Sequence, residues 1–359
     1  MTSSTFLSLF EKLEGLVQRL PESLQQPILR EITPIKTLFL LQRAPRLVLV
    51  GERAASKSEL VNAIFGQVIM GAETELLHDG VWQPLSFAGR GTLQVLDGRR
   101  PVSLSAAELA LRSQPGDIFL FLRQSADVDG EFLADLAQAV RLIEVSDPQN
   151  RPRVLGLQCA GGETAREQLH AVLHTQPEVE SMMIGTLSFS GAPGEIERLV
   201  ELLGVELPPE SQLEMARLSG NRVLQSQIAH VLIKSVTAIC GAIGAQPIPL
   251  ADFPILSSLQ AGLVAGIMHI SGRAMSARLA GEFMAALGAN FGAGIALREG
   301  TRAVVKLLPL WGNAISGAVA AAGTYAVGRG AVAYFIDGVS IEDARTFFRR
   351  DKKPPALKG

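Results

Sequence analysis

Between Arg46 and Glu206, short apolar runs alternate with stretches of helical period, a pattern that predicts a mostly parallel sheet covered by helices on both faces. Six strands are expected, at 46–50, 82–87, 92–96, 117–122, 153–157 and 182–187, with helices over 57–65, 105–112, 130–144, 163–174 and 193–204. Ligands of such sheets lie at the carboxyl ends of the strands, so the loop after Val50 is where one is expected. Ahead of the sheet, residues 1–45 form a helical lead-in. Phe6, Leu9, Phe10, Leu13, Leu16 and Val17 share one side of a helix over 5–20, Pro21 breaks it, and Pro27 and Pro34 punctuate the helical stretch over 22–43. This lead-in either packs on the rest of the chain or lies on a membrane surface.

After a linker around Leu207, Pro208, Pro209 and Glu210, the pattern becomes apolar and helical to residue 345. Between Ser219 and Ile336 only eleven of 118 residues are Asp, Glu, Lys or Arg, and eight of the eleven are basic. Four stretches carry no charge, 235–251, 253–272, 283–297 and 307–328. The second and fourth reach the length of about 20 residues that a helix needs to cross hydrocarbon. Their Gly and Ala content weakens that reading, because small side chains gain little on transfer to lipid. Gly262-xxx-Gly266 and Gly288-xxx-Gly292 allow close helix approach, a spacing used both in membranes and in tight water-soluble bundles. A buried or interfacial bundle and a membrane-inserted hairpin therefore both stand. The tail 346–359 is basic and proline-containing and is expected to be mobile.

Charge and cysteine content narrow the function classes. A formal charge of −2 and a pI near 6.3 argue against a nucleic-acid partner. Cys159 and Cys240 stand far apart, outside metal-ligand spacing, and suit small core positions in a reducing, cytoplasmic setting. The first residues lack the basic start and apolar run of a secretory signal.

The chemistry concentrates in 46–66, RLVLVGERAASKSELVNAIFG, an apolar strand, a turn and an amphipathic helix in succession. In the phosphate-loop pattern G-x-x-x-x-G-K-[ST], backbone N–H groups wrap a phosphate at a helix N-terminus, a lysine reaches the outer phosphates and a hydroxyl binds magnesium. Gly51, Lys57 and Ser58 fit, with Ser58 a candidate metal ligand; Ser56 stands where the second glycine belongs. That serine either tolerates a slightly shifted loop or marks lost phosphate binding.

With this loop and the apolar helical half together, the chain resembles Era-like GTPases that carry a YcjF-type C-terminal domain. The second half of the resemblance lies in QPIPLADFPILSSLQAGLVAGIMHISG and LLPLWGNAISGAVAAAGTYAVGRGAVAYF. It implies a lead-in at 1–45, a P-loop α/β domain at 46–206, a helical domain at 207–345, GTP or GDP with magnesium as cofactor, and membrane association, peripheral or integral, or partner helices, with a homo-oligomer as one form. In the magnesium-side motif D-x-x-G the aspartate is Asp97, a second candidate metal ligand or a turn residue, but Arg100 stands for the glycine. The guanine-reading [NT]-K-x-D is replaced by Gln158, Cys159, Ala160 and Gly161, and only Thr74 could serve switch I. Ser188, Phe189 and Ser190 faintly echo the serine-alanine motif. The resemblance leaves two expectations, a pseudo-GTPase scaffold or a working GTP switch controlling the helical half.

Elsewhere the chemistry is bland. His170 and His174 share a helix face without the acid of a zinc motif, His230 and His269 fall in apolar runs as core histidines, and Asp252 is placed to cap a helix from Phe253. No catalytic nucleophile is expected.

Overall fold

The computed structural model describes residues 15, 17, 18, 22–55, 57–66, 80–87, 89–100, 103–146, 152–245, 252–288 and 311–351. Most of the helix expected over 5–20, Thr74, Gly292 and the end of the tail lie outside them, as does Ser56. The chain forms two compact units, Arg43–Leu224 and a second made of Met1–Gln42 with Gln225–Gly359.

The second unit opens with α1 (Glu22–Phe39), which turns Ile28, Ile32, Ile35 and Leu38 inward at helical spacing. Pro27 and Pro34 lie inside this helix rather than breaking it. Each removes a backbone donor, and burial of the isoleucine stripe outweighs that loss.

The first unit is an α/β sandwich. Its elements are β1 (Arg46–Gly51), α2 (Lys57–Phe65), β2 (Trp82–Phe87), β3 (Gly91–Asp97), α3 (Leu104–Ser113), β4 (Ile118–Arg123), α4 (Gly130–Val145), β5 (Arg153–Gln158), α5 (Gly162–His174), the short α6 (Pro177–Glu180), β6 (Met183–Ser188), α7 (Pro193–Glu206) and α8 (Pro209–Ser219). The six-stranded sheet runs β2-β3-β1-β4-β5-β6, all parallel except β2, which pairs antiparallel with β3. The sheet and its helices are those the sequence predicts, each strand within a residue or two of its expected bounds.

β1, β4 and β5 are apolar along their length because helices cover both faces. On one face Val48, Val50, Phe119 and Phe121 pack with Phe132, Leu136, Leu142 and Ile143 of α4. Pro84 is tolerated because β2 is an edge strand. Asp129 caps α4 by accepting from the Phe132 N–H at 2.9 Å.

The expected linker at 207–210 is instead ordered structure. Leu207 is buried, Pro209 starts α8, and the Glu214 carboxylate of α8 accepts from the Thr92 N–H of β3 at 2.8 Å. At the amino ends of the strands, Arg43 forks onto Asp117 at 2.7 and 2.8 Å and reaches Glu210 at 3.2 Å, while Asp117 also accepts from the Arg46 N–H.

α9 (Arg222–Gly244) starts at the end of the first unit and lies mostly in the second, followed by α10 (Asp252–Ile270), α11 (Ala277–Leu287), α12 (Trp311–Phe335) and α13 (Ile341–Asp351). α9 and α12 approach so closely that a Cβ on Gly244 would sit 2.7 Å from the Ala320 Cβ, and one on Gly317 would sit 2.8 Å from the Gly241 carbonyl oxygen. Of the expected glycine pairs, Gly266 makes such an approach, against Leu232. The fully buried Thr324 accepts a hydrogen bond from Gln260 at 3.0 Å. Among the described residues, α9 alone is long and apolar enough to cross a membrane. Its exposed positions mix polar Gln227, His230 and Lys234 with apolar Val223 and Val231.

Candidate functional site

The loop after β1 sits where the strand order reverses, the crevice in which open α/β sheets hold ligands. Gly51 closes β1 with φ of 91°, and a Cβ there would collide with the Leu122 carbonyl oxygen of β4. Glycine is therefore required here for strand packing alone. The next N–H, of Glu52, donates to Leu122 at 2.8 Å, and the Glu52 carboxylate accepts from the N–H groups of Gln124 and Ser125, both at 2.8 Å.

Lys57 and Ser58 begin α2, and Asp97 ends β3. The structure brings Lys57 and Asp97 together, Nζ to Oδ2 at 3.4 Å, with a third residue that the motifs do not name. Arg99 donates from Nε to Asp97 Oδ1 and from Nη2 to Oδ2, both at 2.9 Å. Its Nη1 donates to the carbonyl oxygens of Glu52 and Arg53, each at 3.4 Å, and to that of Ala55. Lys57, Asp97 and Arg99 are at most 2% exposed, so two cations and one carboxylate share a buried cluster.

The residues after Asp97 are held too. The Gly98 carbonyl accepts from Gln138 at 2.6 Å, and Arg100, in the place of the motif glycine, pairs with Asp135 at 2.5 Å and donates to the Glu131 carbonyl. Three consecutive positions are thus tied to the loop or to α4.

This arrangement sets the electrostatics. Burial would raise the Asp97 carboxyl, but the forked hydrogen bonds and charge of Arg99, with Lys57 behind them, outweigh it and hold Asp97 below the ordinary carboxylate range. Asp135 goes the other way, because burial raises it more than Arg100 lowers it. The Cys159 thiol, half-buried rather than in the core, is pushed up to about 11, first by burial. It is a protonated, unreactive thiol at neutral pH.

A polyphosphate loop works by turning amides toward the anion. In the described part of this loop the Glu52 amide is spent on β4, and three carbonyl oxygens converge on a guanidinium. In the described part of the loop a phosphate would face carbonyl oxygens, and a metal would compete with a bidentate ion pair for Asp97.

No protein-family model matches the chain, and no curated protein matches it. The site is therefore read from its geometry.

The other candidates separate in space. His170 and His174 on α5 bring their rings to 4.5 Å, but His170 Nδ1 meets Thr186 Oγ1 at 3.2 Å, and no metal-holding group of three exists among the described residues. His230 is exposed, a correction to its expected core position, with Nδ1 on the Ser226 carbonyl at 2.7 Å and Nε2 on Arg329 at 3.1 Å. His269 packs on Phe39 at 6.3 Å. The α10 helix starts at Asp252 itself. Gln158 is spent on the carbonyls of Ser125 and Ala160, while the Ser190 N–H and hydroxyl go to Glu195. Sequence reasoning missed Arg99, Glu52 and the buried Arg123, whose guanidinium lies 4.0 Å over the Phe132 ring. The one available signal was a pair of arginines where D-x-x-G places its last residues.

Proposed function

We propose that the chain is a pseudo-GTPase scaffold, an α/β unit of nucleotide-binding type that holds its own loop shut and serves as a binding module. The observation that carries this reading is Arg99, which bridges Asp97 and the carbonyls of Glu52, Arg53 and Ala55 in the space a phosphate and its metal would need. The tethering of Gly98 and Arg100 to α4 supports it, because a nucleotide switch needs this segment free to rearrange. On this reading the helical unit engages partner helices or membrane lipid, including a second copy of the chain. The apolar character of α9 and α12, and the exposed Val231, Val319 and Tyr325, favour such a role.

A second reading draws on the Lys57 to Asp97 juxtaposition, which a working GTP switch with magnesium would also use. There Arg99 is a removable plug, and Lys57, Ser58 and Asp97 hold phosphate and metal once it leaves. Fluorescent GDP and GTP analogues with magnesium separate the two. The scaffold reading expects no anisotropy change with wild type or with Arg99→Ala, folded by circular dichroism. Binding by Arg99→Ala alone would establish the plug, and binding by wild type would overturn the scaffold. For the helical unit, protein retained on carbonate-washed membranes supports lipid engagement, and recovery entirely as a soluble monomer opposes it.

A further inference from the structure

In the helical unit α9 and α12 lie side by side and antiparallel, with Ile233 packed at Gly328, Gly241 at Ala321 and Gly244 at Ala320. At one end of this pair His230 meets Arg329 at 3.1 Å, which puts the exposed flanks of the two helices on one side of the unit. That side shows Val231, Lys234 and Ala238 from α9, and Val319, Tyr325 and the half-buried Arg329 from α12. Neither helix contains an Asp or a Glu, so the fixed charges these two helices bring to the strip are all positive.

We propose that this strip docks the helical unit in the plane of an anionic lipid bilayer, with Val231, Val319 and Tyr325 at the acyl boundary and Lys234 and Arg329 reaching the headgroups. A long basic side chain lays its stem on apolar surface while its charge stays in the polar layer, and a tyrosine suits the same depth. Two helices side by side make a flat strip rather than a groove, a shape that fits a surface better than a small ligand. Pairing the strip with a second copy of itself would set like charges opposite one another, and a neutral partner would leave them uncompensated. α9 lies on the bilayer rather than crossing it, because its other face is committed to the unit, where Leu232, Val236 and Ile239 are buried. The inference rests on the binding-module reading of the helical unit and narrows it to one face and one class of lipid.

Co-sedimentation of the full chain with vesicles tests it. Vesicles of phosphatidylcholine alone are compared with vesicles of phosphatidylcholine and phosphatidylglycerol in equal parts, at low and at molar salt. The expected result is at least fivefold more protein on the anionic vesicles, falling severalfold at molar salt. Lys234→Glu and Val319→Asp, both at exposed positions and checked for an unchanged melting temperature, should each cut binding severalfold, while Lys234→Arg should retain it. Equal partition onto neutral and anionic vesicles would keep lipid engagement and overturn this face, and no partition onto either would overturn both. Binding lost in Lys352→Glu with Lys353→Glu but kept in Lys234→Glu would place it on the basic tail and overturn the inference. Capture of soluble poly-glutamate in place of vesicles would assign the strip to an acidic protein and overturn it too. Nucleotide titration bears on none of these outcomes.

Discussion

At the residue scale the molecule turns on one carboxylate shared by two buried cations. Removing one partner of a buried ion cluster strands the remaining charges in low dielectric and costs about 3–5 kcal/mol. Asp97→Asn leaves both Lys57 and Arg99 without their counter-ion, whereas Lys57→Met leaves the Arg99 fork intact. Urea unfolding should therefore show the larger loss for Asp97→Asn, and equal midpoints would mean that the cluster does not hold the loop. The pH dependence has a definite sign. Because the folded-state carboxyl of Asp97 lies below its ordinary value of about 3.9, its contribution is fully present above that pH and is lost as pH falls through the lower folded value. Acid titration of wild-type stability should be steeper below about pH 4 than that of Asp97→Asn.

At the scale of elements, the sheet was legible because its central strands are buried on both faces and must be apolar throughout, a signal independent of partners. Residues 46–51 and 118–123 show it most clearly. The loop was legible only in part. Gly51, Lys57 and Ser58 match a phosphate-loop spacing, yet Gly51 is also dictated by its contact with β4, and the direction of a carbonyl cannot be read from residue types. Arg99 gave no periodic signal, since its role depends on β3 lying beside β1. Pro27 and Pro34 punctuate the expected helical lead-in yet lie within one helix, and Pro209, expected in a linker, starts α8; burial overrides the local preference.

Besides Gly266 of the glycine motifs singled out in the sequence, close helix approach in the second unit involves Gly244 and Gly317 across α9 and α12, which no motif marked. Gly317→Leu should overpack that contact and destabilise the protein by about 1–3 kcal/mol, read by thermal melting. An unchanged melting temperature would show that the two helices part easily. Arg43→Ala removes the fork onto Asp117, a carboxylate only 5% exposed, and should cost about 2–3 kcal/mol by the same measurement.

At the scale of the whole molecule, a six-stranded, mostly parallel sheet and an apolar helical unit share one chain, and the central proposal is that the first takes no nucleotide. A ligand that binds only the folded state at about a hundred times its Kd stabilises by about 2.7 kcal/mol, so even modest nucleotide affinity would be visible. The most direct measurement is isothermal titration of the full chain with GTP, GDP and ATP in the presence of magnesium. The account predicts heats indistinguishable from dilution for all three. Saturable heat with micromolar or tighter affinity, abolished by Lys57→Ala, would contradict it.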